Sequence, residues 1–169
     1  MSMRAKLIRP RPDKQHGATL IIALVFMTAL TLLGATAAQN SSLEERMASN
    51  MQNRNLAFQA AEAALTYVQL NLSTGANIRS LNFTGTSPGL RTYNSLLADN
   101  ATYWSTFAWS STTARTPVGT ITGVASQPFY VVEKMPNNGA EEFYRVTARG
   151  VGADVNAVVI LQAAYRFTP

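Results

Sequence analysis

The chain is 169 residues long, 47% hydrophobic and 14% charged, with a net charge of +5, which fits one domain of ordinary size. It has no cysteine and one histidine, His16. Disulfides, thiolate metal sites and nucleophile–histidine chemistry are therefore excluded from everything beyond residue 16. The basic balance is local: Arg4, Lys6, Arg9, Arg11 and Lys14 face only Asp13, whereas from Ala18 onward nine basic residues meet eight acids. No basic patch marks the rest of the chain, so a nucleic-acid partner is not expected. Its few carboxylates form no catalytic or metal-binding pattern, and the reading is of a protein that is not an enzyme and needs no cofactor or metal.

Residues Ala18–Ala38 carry no charge over twenty-one positions, enough for a helix spanning roughly 30 Å of bilayer. Basic residues directly before this run predict a cytoplasmic N-terminus, with the chain beyond the run in the periplasm. Three fates fit. Ala35-Thr36-Ala37 offers a signal-peptidase site and a secreted binding domain. Hydrophobicity alone would make a permanent anchor. Cleavage after Gly17, before the apolar run, would keep Leu20, Ile21, Ile22, Leu24, Val25, Phe26, Leu30, Leu32 and Leu33 in the product, to be buried first in lipid and then among similar helices.

No proline interrupts Ala18–Ser87, and apolar residues at Leu43, Met47, Met51, Phe58, Leu65, Val68 and Leu72 keep spacings of three, four or seven, predicting one helix with an amphipathic second half. Such a helix would be about 80 Å long, more than one small domain covers. Ser73-Thr74-Gly75 forms its stop, with Gly75 suited to a left-handed cap. The alanines Ala57, Ala60, Ala61, Ala63 and Ala64 fit either helix propensity or close packing.

Residues 73–100 are rich in Ser, Thr, Asn and Gly and read as a long connection, with a short helix near Ser95–Asn100. Strands are expected at Ala101–Trp109, Gln127–Met135, Glu141–Arg149 and Val155–Phe167. Asn138-Gly139 signals a hairpin, and Gly150-Val151-Gly152-Ala153-Asp154 a second turn. Trp104, Phe107 and Trp109 read as core, and Glu141-Glu142 as a solvated strand start. The expected fold class is α+β: a long N-terminal helix packed on a C-terminal antiparallel meander.

Lys14-Gln15-His16-Gly17 followed by Ala18-Thr19-Leu20-Ile21-Ile22 resembles a type IV prepilin leader. The block Leu43–Leu65, LEERMASNMQNRNLAFQAAEAAL, is similar to the N-terminal region of PilX-type minor pilins. The resemblance implies the type IV pilin fold, removal of residues 1–17 at Gly17 by prepilin peptidase, and N-methylation of Ala18. It further implies a membrane or fibre-core half-helix at 18–42, and a periplasmic domain at 43–169 with its sheet at about 101–169. The implied partners are other minor pilins, the major pilin, prepilin peptidase, the inner-membrane assembly platform and, before assembly, the membrane. Adhesion and twitching motility, through an extracellular pilus, would follow. Most pilins carry glutamate at the fifth mature position; here it is Ile22. Loss of that docking charge fits a subunit at the fibre tip that helps start assembly. It is shared with the K pseudopilin of type II secretion, the alternative within the superfamily, although that protein carries a large insert for which this chain is too short.

Overall fold

The computed structural model describes residues 18–74, 78–94 and 101–168. The leader with Gly17, the cap at Gly75 and the short helix expected near Ser95–Asn100 lie outside them. Helix α1 covers Ala18–Ser73, followed by β1 (Leu90–Thr92), α2 (Ala101–Thr106), β2 (Phe129–Lys134), β3 (Glu142–Val151) and β4 (Val158–Phe167). The chain divides into two compact units, residues 1–46 and 47–169.

In the first unit α1 exposes every described side chain. Three of its hydroxyls are satisfied within the helix: Thr28, Thr31 and Thr36 each donate to the carbonyl three residues earlier, at 2.8–2.9 Å. Over residues 18–38 the helix therefore offers a largely apolar surface, as a lipid or protein interior requires.

In the second unit α1 ends where Thr74 N–H and the Ser73 and Thr74 hydroxyls all converge on the Leu70 carbonyl. The sheet runs β1-β2-β3-β4, with β1 parallel to β2 and the other pairs antiparallel. The β2–β3 hairpin closes with paired backbone bonds between Asn138 and Glu141, and Gly139 takes a φ of 61°. Positive φ at that turn position is what glycine supplies without strain.

One sheet face packs on α1. Tyr130, Val132, Tyr144, Val146 and Ala148 join Ala61, Ala64, Val68, Leu72, Ile78, Phe83 and Leu90 in one buried cluster. The helix row inward is Ala57, Ala60, Ala61, Ala64, Val68 and Leu72: of the stripe expected from spacing, Val68 and Leu72 are buried and Leu65 packs against the core, whereas alanines replace its first half. Leu43, Met47, Met51 and Phe58 are exposed. The reason lies in β3 and the turn after it. A Cβ on Gly150 would overlap the Ala57 carbonyl and the Ala61 amide, and one on Gly152 the Asn53 carbonyl. Sheet backbone here rests on helix backbone, and a leucine or methionine in that row would hold the two apart.

Two further expectations change. Ala101–Trp109 is not a strand: Ala101–Thr106 is the helix α2, its Trp104 buried against Val131 on the sheet face away from α1. Tyr103 and Phe107 stand four apart, a helical spacing that β propensity obscured. The sheet proper begins at Phe129, and the long connection contributes β1, whose three residues pair in parallel with Val132–Lys134.

Gly150→Ala should destabilise the domain by about 3 kcal/mol or more, the upper range for overpacking where backbone must move. Gly34→Ala meets no atom within 4 Å and should lose nothing. Thermal unfolding of the detergent-solubilised chain followed by circular dichroism checks both.

Candidate functional site

Two surfaces carry chemistry. The first is the apolar half of α1. Leu20, Ile21, Ile22, Leu24, Val25, Phe26, Leu30, Leu32 and Leu33 are each 55–71% exposed, and their successive positions surround the helix. Burying one such side chain is worth about 1.5–3 kcal/mol, so the segment is driven strongly into lipid or among other apolar helices. Length and composition suffice for one membrane span. Ala18 is its first described residue, and Ile22 leaves the surface uncharged where a carboxylate would be costly without a partner.

The second is the sheet face opposite α1, where the connection is fastened. Glu133, 1% exposed near the end of β2, accepts from Arg145 Nε at 3.0 Å and lies 3.4 Å from Arg91 Nε. The Arg91 guanidinium stands over Trp104, Phe107 and Tyr103 at 4.8, 5.1 and 5.5 Å and donates to the Tyr103 hydroxyl at 2.7 Å. Trp109 completes the aromatic group, its ring 5.0 Å from Phe107 and its Nε1 donating to the Trp104 carbonyl. The Arg145 guanidinium lies over Tyr93 at 4.4 Å. Removing one member of a buried ion pair typically costs about 3–5 kcal/mol, because its partner stays charged and dry. The cluster thus locks residues on both sides of the connection to β2 and β3 in a chain without disulfides. Its residue types offer stacking and charge pairing but no nucleophile–base pair, and no metal-holding group of His, Cys, Asp and Glu occurs among the described residues.

The acids Glu141 and Glu142 differ from the solvated pair expected. Glu142 receives Arg79 at 2.8 Å, Lys134 at 3.0 Å and the Tyr144 hydroxyl at 3.1 Å, while Glu141 lies 3.6 Å from the exposed Arg166. Burial works to raise the Glu142 pKa, but the hydrogen bonds from Lys134, Arg79 and Tyr144 outweigh it and the net shift is downward. For Lys134 burial pulls down, and the bond to Glu142 carries the net shift upward. Deeper in the core, burial and then the neighbouring Tyr67 push Tyr130 up to about 12. Sequence reasoning missed Arg91, Glu133 and Arg145. The available signal was the opposite charge of Glu133 and Arg145 on strands joined by a hairpin, which the register places directly opposite each other.

A long N-terminal helix followed by a mostly antiparallel four-stranded sheet is the architecture of the type IV pilin fold. The family model described as PilX N-terminal matches residues 16–66, from the expected cleavage boundary through most of α1. The match supports a PilX-type pilin, a minor pilin of type IV pili in a structural family whose members associate with other pilus components. The single apolar N-terminal helix fits a membrane-anchored pilin. No curated protein and no solved structure matches the chain.

Because the Glu142 pKa is lowered on folding, its contribution is full above the ordinary value of 4.5 and is lost as pH falls below it. Between pH 6 and pH 3 the wild type should therefore lose more stability than Glu142→Gln. Urea unfolding across that range tests this, and parallel losses would remove the role assigned to Glu142.

Proposed function

We propose that this minor pilin is cut after Gly17, N-methylated on Ala18, and held in the inner membrane by residues 18–42 with its globular domain in the periplasm. From there it enters the pilus at or near the tip and, with other minor pilins, helps to start the fibre. Prepilin peptidase, the assembly platform and the major pilin are its partners on that route. Surface adhesion and twitching motility depend on it through the fibre.

The observation that carries the tip reading is Ile22 in a helix half without any charge. A carboxylate at this position gives most pilins a partner for the N-terminal ammonium of an adjacent subunit, and that attraction is strong where the dielectric is low. A subunit with isoleucine keeps the apolar driving force but cannot offer that partner. It suits a place in the fibre where no such docking is required.

The intact mass of the mature protein, from membranes and from sheared fibres, tests processing and incorporation together. Residues 18–169 plus one methyl group, present in the fibre fraction, is the expected result; a product starting near Ala38, or an uncut chain, would overturn the assignment. For the tip, Ile22→Glu should leave processing intact and shift the subunit from fibre ends into the shaft, as seen by immunogold labelling. Unchanged position and abundance would sink the tip reading.

A further inference from the structure

Between Pro117 and Pro128 the chain has no helix, no strand and no charged residue, yet its path is fixed. The Gln127 side chain accepts from Ile121 N–H and donates to the Ile121 carbonyl, both at 2.9 Å. Ala125 N–H donates to the Gly152 carbonyl at 2.7 Å, which ties the segment to the turn after β3. Pro128 is fully buried, and a proline at each end restricts φ there. A segment held in this way could close on α1, but it stands away from it.

The gap it leaves beside the second-unit part of α1 is a cavity of about 570 Å³, a size that encloses a specific ligand. One wall is a single stripe of α1: Gln59, Glu62, Ala63, Thr66, Tyr67 and Leu70. Val118 and Ile121 are on the facing wall. Val118 is 84% exposed and Leu70 60%, so each wall leaves a large apolar side chain in water. Glu62 is the one charged lining residue, and it has no ion-pair partner among the described residues.

Size and polarity choose the occupant. From Gln59 to Leu70 the stripe runs about 16 Å at 1.5 Å per residue. About five residues of extended chain cover that length. A helix as long and at least 10 Å wide would fill roughly 1,250 Å³, and half of it would stand outside the cavity. An extended backbone also brings unpaired N–H and C=O groups, which the side chains of Gln59, Thr66 and Thr120 can meet. Helix order places Glu62 toward one end of the stripe and Leu70 at the other, so a base belongs at the first end and an apolar side chain at the second.

A second copy of this chain fits poorly. Of its nine cations from Ala18 onward, Arg46 and Arg54 lie on α1 and five lie in strands. Arg79 is tied to Glu142, and Arg115 is bridged to Tyr130. None is offered by an unpaired extended stretch.

We propose that the groove between α1 and residues 117–128 docks an extended segment of another polypeptide, about five residues long, with a lysine or arginine at Glu62 and an apolar side chain at Leu70 and Val118. The groove belongs to the globular unit alone and does not depend on the place of the subunit in a fibre.

The probe is fluorescein-labelled Arg-Thr-Val-Thr-Leu, added to the full chain in nanodiscs, with fluorescence anisotropy and amide resonances as readouts. The amides of Thr66 and Leu70 and of Val118, Thr120 and Ile121 should shift together, while those of β4 stay as they were. A peptide with glutamate in place of arginine should bind about fivefold more weakly, the worth of one exposed charge pair lost and one repulsion gained. Glu62→Gln should erase that difference. Val118→Ser should weaken the arginine peptide at least about fivefold, as loss of a buried valine predicts, with an unchanged Tm because the side chain is exposed in the free protein. No shift on either wall, or full affinity in Val118→Ser, would overturn the proposal. Equal affinity for the two peptides in the wild type would overturn its basic partner, and concentration-dependent shifts of the same amides without peptide would replace that partner with a second copy.

Discussion

Everything in the domain hangs on how closely β3 approaches α1. Gly150 and Gly152 have no side chain where the helix carbonyls of Ala57 and Asn53 come down on them, and the helix answers with Ala57, Ala60, Ala61 and Ala64. Dispersion falls steeply with separation, so backbone-to-backbone contact over several turns holds more firmly than its small buried side chains imply. The larger residues then take the outskirts of the contact: Val68 and Leu72 further along the helix, Tyr144 and Val146 further along the strand. This arrangement also explains the exposure of Met47, Met51 and Phe58. A helix whose inward row is alanine has spare apolar residues on its flanks.

The opposite face of the sheet solves a different problem. A long polar connection costs conformational entropy to fix, and without cysteine no covalent staple is available. The chain uses a charged core instead: Glu133 between Arg145 and Arg91, with Tyr93, Tyr103, Trp104 and Phe107 around the guanidinium planes. A planar guanidinium both stacks and pairs, which lysine cannot do as well. Such a core adds little net stability over an apolar one, but it penalises every arrangement that leaves a charge buried alone. Its value is in fixing one path for the connection across β2 and β3.

The helix, the meander and the β2–β3 hairpin are legible from residue order, because each is a local signal: an uninterrupted apolar run, alternation bounded by turns, and Asn138-Gly139. Which faces meet is less legible. Spacing selects Leu43, Met47, Met51, Phe58, Leu65, Val68 and Leu72 as the packing stripe and is right for the last three; it fails for the first four because it weighs side-chain size, whereas the decisive feature there is the absence of side chains at Gly150 and Gly152, far along the chain. Ala101–Thr106 reads as strand because its aromatics and threonines favour sheets in isolation, while burial of Trp104 against Val131 is a tertiary effect. Among the candidate residues, the apolar set from Leu20 to Leu33 is fully visible in sequence. Glu133 and Arg145 are not, since an acid and a base in separate strands mean nothing until the register sets them opposite each other.

The apolar helix surface and the charged core of the sheet differ in kind, and the difference bears on what each can do. An apolar helix surface attracts without direction; it accepts many neighbours, shifts register at small cost, and suits a place among similar helices. The charged core is directional. Glu133 meets Arg145 Nε at 3.0 Å and Arg91 Nε at 3.4 Å, while the two guanidinium planes lie over fixed rings. Moving any one of these groups leaves a charge buried without its partner, so this face tolerates one arrangement and the helix surface tolerates many.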